Sequence, residues 1–170
     1  MNGNQVKCGW RPSEDGVFKV NCDAVSDNSS GRIGIGVVIR DSKSEVFASC
    51  SQILMANLNT KASKLVAISK SIQFVLDCGL EPCCFEIDEA LIVKSIKVGT
   101  HRSSVNGVLL DDIFFLSSKL RTMNISYAPK SANKVAQGLA RHAMKIDEDG
   151  FWMEDFPSVS KCWLKLTCLF

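Results

Sequence analysis

The chain has 170 residues, of which 46% are hydrophobic and 22% charged, with a formal net charge of +2. That length fits one domain able to bury a full core, and the composition excludes a disordered or membrane-embedded chain. So small a net charge predicts no polyanionic partner by itself; a nucleic-acid reading has to rest on where the charges lie.

The opening MNGNQVKCGWRP lacks the apolar run of a signal peptide, and no stretch reaches the roughly 20 apolar residues of a membrane span. An intracellular chain, cytoplasmic or nuclear, with no membrane contact is therefore expected. The eight cysteines contain no C-x-x-C pair, which argues against a zinc site. Several lie inside apolar runs, where a reduced cysteine acts as a small hydrophobe.

In FKVNCDAVSD (18–27), Phe18, Val20 and Cys22 alternate with Lys19, Asn21 and Asp23, the two-residue period of a strand with one buried face. DNSSG then reads as a turn. GRIGIGVVIRDS (31–42) is a glycine-rich apolar strand ending in a second turn, and EVFASCSQI (45–53) alternates again, so three strands form an antiparallel meander. From Thr60 to Leu80, Leu65, Ile68, Ile72, Val75 and Leu76 recur at helical steps, and Gly79 is the expected left-handed cap. CCFEIDE (83–89) reads as a short strand and ALIVKSIKVG as a short helix. VNGVLLDDIFFLSSKL (105–120) is a longer helix, TMNISYAP (122–129) a strand and ANKVAQGLARHAMKI (132–146) a last helix. The order predicts an α/β domain at 16–147: a mixed five-stranded sheet, three antiparallel strands then parallel ones, with helices on both faces. Residues 1–15 form an N-terminal extension. Residues 148–170, acidic and then aromatic, form a tail that packs on the domain or on a partner.

The pieces WRPSEDGVFKVNCDA, GIGVVIRDS, SIQFVLDCGL, FEIDEALIVKSI and SANKVAQGLARHAMK, in this order and spacing, resemble the ribonuclease H fold. More narrowly, they are similar to the ribonuclease-H-like domains of plants that derive from reverse-transcribing elements. The resemblance implies metal-dependent hydrolysis of RNA paired with DNA, by two magnesium ions held on four carboxylates. On the matching positions, Asp23 stands for the first carboxylate and Asp88 for the third, as catalytic residues and metal ligands.

The other two positions depart from the pattern. Where the first helix should carry a glutamate, three residues before Ala67, the residue is Lys64; where the last helix should carry an aspartate after N-x-x-A, it is Gln137. No acidic residue lies between Glu45 and Asp77, or between Asp112 and Asp147, so no shift of register restores either one. Gln137 keeps a carbonyl oxygen that could still touch a cation. Lys64 is the graver change: at 4 Å and an effective dielectric of 20, a unit charge repels a divalent ion by about 8 kcal/mol. Magnesium is therefore expected to bind weakly or not at all, and cleavage to be weak or lost. Lys64 precedes Ile68, Ile72 and Val75 on the stripe facing the sheet, which would pair its ammonium with Asp23 and Asp88; the alternative is a lysine in a frayed first turn, snorkelling to water.

Other features have plainer readings. Asp88 or Glu89 could cap the helix that follows, and Glu86 could share the face of Asp88 as a substitute acid. GRIGIGV is no dinucleotide loop, because no helix follows it. His101 and His142 read as surface residues. Lys94, Lys97, Arg102, Lys119 and Arg121, followed by Lys130 and Lys134, are a basic series usually found on solvated faces; on this fold they could line a groove for an RNA–DNA hybrid or duplex RNA. A non-catalytic protein-interaction module, acting through the apolar tail CWLKLTCLF, is the competing reading.

Overall fold

The computed structural model describes residues 9–99, 105–155 and 157. Strands β1 (Phe18–Asp27), β2 (Arg32–Arg40) and β3 (Val46–Met55) form the expected meander, followed by α1 (Thr60–Cys78), β4 (Cys83–Ile87), α2 (Ala90–Val98), α3 (Val105–Ser117) and β5 (Met123–Tyr127). A 3-10 turn (Lys130–Ala132) leads into α4 (Lys134–Ala143), and a last strand, β6 (Gly150–Met153), follows.

The strands lie in the order β5-β4-β1-β2-β3-β6, a six-stranded sheet rather than the expected five. β4 pairs parallel with β1, and β5 parallel with β4; β6 pairs antiparallel with β3, Ala48 opposite Met153 and Ser51 opposite Gly150. β6 is too short to show a period of its own, and the acidic run before it made GFWM look like tail. Its pairing with β3 is a tertiary event that local pattern does not encode.

Helices cover both faces. Neighbouring residues of β2 point opposite ways: Val37 joins the large core with Leu65, Ile68 and Ile72 of α1, while Val38 packs with Val135, Ala136 and Leu139 of α4. Leu65, Ile68 and Ile72 have no exposed surface, and full burial of each contributes about 1.5–3 kcal/mol. α1 starts where the Asn59 carboxamide accepts from the Ala62 amide at 2.9 Å, and ends at Gly79, whose φ of +66° gives the expected left-handed cap.

α4 approaches the sheet closely because β2 carries glycine beneath it. A Cβ on Gly36 would lie 2.2 Å from the Ala136 carbonyl oxygen, and one on Gly34 2.2 Å from that of Ala140. The Ser51 hydroxyl donates to the Leu139 carbonyl at 2.9 Å and fixes the same contact from β3. No helix among the described residues is long and apolar enough to cross a membrane.

Candidate functional site

The parallel pairing of β1 with β4 sets Lys19 beside Cys84 and Asn21 beside Glu86. Carried two residues further, the same register brings Asp23 level with Asp88, just past the last residue of β4. Both carboxylates are buried, at 4% and 8% exposure. Asn133, at the entry to α4, donates from its carboxamide to the Cys22 carbonyl at 3.0 Å and so ties the last helix to β1 one residue before Asp23.

Lys64 reaches this point from α1. Its Nζ lies 2.5 Å from Asp88 Oδ1, a hydrogen-bonded ion pair, and 3.5 Å from Asp23 Oδ1. The side chain is 12% exposed, so the snorkelling alternative does not describe it. Asp23 Oδ1 is buried without a hydrogen-bond partner. Burial, and next the charge of Asp88, raise the Asp23 pKa above the ordinary carboxylate value; Lys64 and the Ala24 amide oppose this without cancelling it. Burial alone would lower the Lys64 pKa, but the hydrogen bond to Asp88 and the two nearby carboxylates outweigh it, and the pKa is raised. The ammonium stays charged. An open pocket of about 270 Å³ beside it is lined by Thr60, Lys61, Lys64, Glu89, Leu91 and Ile92.

Gln137 sits half-buried on α4, and among the described residues its side chain makes no hydrogen bond with Asp23, Lys64 or Asp88. Glu86 is not a spare acid for this site. Its Oε1 is 2.6 Å from Lys19 Nζ and its Oε2 accepts from the Asn21 carboxamide at 3.3 Å. Glu89 stands at the N-cap of α2 but makes no capping hydrogen bond with its side chain. Among the described residues no three His, Cys, Asp or Glu side chains are grouped to hold a metal ion.

A second polar network, which sequence reasoning missed, lies below the first on the same strands. Arg40 is 1% exposed, with its guanidinium carbon 3.6 Å from the centre of the Trp10 ring. The Asn21 carboxamide oxygen accepts from both the Trp10 indole and Arg40, each at 2.9 Å. Lys19 donates to the Arg11 carbonyl at 2.7 Å. The sequence carries no local signal for it: Lys19, Asn21 and Asp23 alternate with apolar residues and read as the solvent face of β1, whereas they are 7%, 0% and 4% exposed.

The basic series divides. Lys119 and Arg121 lie before β5, at the opening ends of the parallel strands, where the Lys119 ammonium sits 4.5 Å from the centre of the Phe115 ring and Arg121 lies 4.0 Å from Glu81. The carboxylates lie past the closing end of β4, a strand length of roughly 16 Å away. Lys130 and Lys134 follow the closing end of β5, on the side of the carboxylates, and Lys94 and Lys97 are exposed on α2. Arg102 and His101 lie outside the described residues, as does the apolar tail CWLKLTCLF (162–170). His142 is half-buried rather than a surface residue, with its ring 6.1 Å from that of Trp152.

The cysteines offer no reactive centre among the described residues. Burial pushes the Cys22 thiol up to about 12 and the Cys83 thiol to about 12, so both stay protonated near neutral pH.

The fold is of the ribonuclease H-like type. Similar solved structures include RNase H1 from the halophilic archaeon Halobacterium salinarum NRC-1, at a TM-score of 0.69 and 15% identity over 76% of this chain and 98% of that one. The N-terminal RNase H domain of a Mycobacterium tuberculosis protein matches at 0.65 and 20%, over 76% and 94%. LC11-RNase H1 in complex with an RNA/DNA hybrid matches at 0.67 and 16%, over 75% and 96%. Comparison with curated protein sequences gives no match. The reverse transcriptase-like family model matches residues 21–143, and the chain belongs to that family.

Proposed function

We propose that this domain binds nucleic acid, an RNA–DNA hybrid foremost, and cleaves it weakly or not at all. Asp23 and Asp88 are what remains of a carboxylate set for divalent metal, Lys64 and Gln137 being the two losses. One observation carries this: the Lys64 ammonium lies within ion-pair distance of both carboxylates. Magnesium requires oxygen ligands at about 2.0–2.1 Å in near-octahedral array. Two carboxylates already engaged by an ammonium do not fit that demand, and an entering divalent ion meets the repulsion of about 8 kcal/mol noted above.

The narrower type, a plant domain derived from a reverse-transcribing element, is supported by the sequence pieces from WRPSEDGVFKVNCDA to SANKVAQGLARHAMK. For phosphate contacts we assign Lys130 and Lys134 first, because they share the carboxylates' end of the sheet, then Lys94 and Lys97. Lys119, Arg121 and Arg102 belong to the proposed surface only if the bound duplex extends past that end.

Fluorescence anisotropy with a labelled hybrid tests the binding. The affinity should be unchanged by a metal chelator and should fall linearly with salt on a double-logarithmic plot. Lys130→Glu with Lys134→Glu should reduce that slope by about 2. Binding that disappears on chelation, or that ignores salt, would overturn the reading.

A further inference from the structure

β6 is the outermost strand on its side of the sheet, and among the described residues no strand pairs with its outer side. Such an edge offers unpaired backbone N–H and C=O groups to any extended segment. Phe151 and Met153, two residues apart and so on one face of β6, are 55% and 59% exposed. Phe151 leans on Phe74 of α1, with ring centres 5.8 Å apart. An apolar open edge is the kind that proteins normally cover.

Charge restricts what can cover it. Asp147, Glu148 and Asp149 precede the strand, and Glu154 and Asp155 follow it. Asp149 is already engaged, accepting from the Ile53 amide at 2.8 Å and the Gln52 side chain at 3.2 Å. A second copy pairing β6 with β6 antiparallel would set one acidic flank against the other, and like charges placed opposite are destabilising. The fitting occupant is extended, apolar on one face and positively charged.

The chain carries such a segment close by. SVSKCWLKLTCLF (158–170) has two lysines and no acid; its even positions from Cys162 to Phe170 are all apolar and would form one continuous apolar face when extended, while the other face carries Lys161, Lys165 and Thr167 beside Trp163 and Leu169. Residues 158–160 span roughly 10 Å when extended, enough to bring Lys161 back to a strand 4.8 Å from β6. We infer that residues 161–170 dock along the open side of β6 in the same chain, with Lys161 and Lys165 facing the acidic flanks and apolar side chains covering Phe151 and Met153. A tether this short holds the segment at millimolar effective concentration. The inference does not depend on nucleic-acid binding.

The test is disulfide trapping in the full chain carrying Met153→Cys, oxidised at high dilution with copper–phenanthroline and mapped by peptide mass. The expected product is a monomer with the introduced thiol bridged to Cys162, the cysteine that this register places within disulfide reach of β6. Phe151→Cys gives an independent second position should the first variant misfold. Adding Lys161→Glu and Lys165→Glu should slow trapping about tenfold. A disulfide found only between two chains would overturn the inference in favour of a second copy. Thiols left unbridged in chains with native circular dichroism would overturn it outright.

Discussion

Lys64 holds Asp88 at hydrogen-bond distance and Asp23 at a looser ion-pair distance, and this inequality predicts opposite responses to neutralising the two. Asp88→Asn removes the partner that holds the ammonium and should destabilise the fold by about 3 kcal/mol at neutral pH. Asp23 has a raised pKa in the folded chain, so its share of stability is fully present at low pH and lost as pH rises through the folded value. Asp23→Asn should therefore be stabilising at neutral pH, and the gain should shrink as the medium is acidified and Asp23 takes up its proton. Thermal melts of both variants between pH 4 and 8 check this; the same sign for both at neutral pH would contradict it. Lys64→Met should destabilise by about 3 kcal/mol in the same melts, because it leaves two buried carboxylates without a counter-charge.

At the scale of elements, the seat of α4 on β2 is the contact with least tolerance. The nearest atoms to an added Cβ at Gly36 are backbone atoms of α4, which cannot rotate away. Gly36→Ala should cost about 3 kcal/mol, whereas Gly79→Ala, a left-handed position in open space, should cost about 1 kcal/mol. Urea denaturation distinguishes them, and equal losses would show that α4 shifts freely. Much at this scale was legible in the sequence. The stripe of α1 and its Gly79 cap, the meander and the strands β4 and β5 follow from local periodicity and turn chemistry. The position of Lys64 was legible for the same reason, since steps of four, four and three put it on the stripe of Ile68, Ile72 and Val75. β6 and the burial of Arg40 were not, because each depends on a partner distant in sequence: β3 for the strand, Trp10 for the guanidinium. The division of the basic series needed the strand directions, which separate Lys119 and Arg121 from Lys130 and Lys134 although all four are close in sequence.

At the scale of the whole molecule, the proposed reading, in which the Lys64 ammonium stands where a divalent ion would sit, predicts a fold independent of divalent ions. Magnesium at 100 times its dissociation constant would stabilise a binding protein by about 2.7 kcal/mol. The natural chain should show no rise in Tm with magnesium and no fall with a chelator. The double variant Lys64→Glu, Gln137→Asp should gain several degrees when magnesium is added, at roughly 2–4 °C per kcal/mol for a chain of this size. The most direct measurement compares cleavage of a labelled RNA–DNA hybrid by these two proteins side by side, in magnesium and in manganese. The account predicts cleavage by the double variant and none, or only a trace, by the natural chain; equal metal-dependent cleavage by both would contradict it.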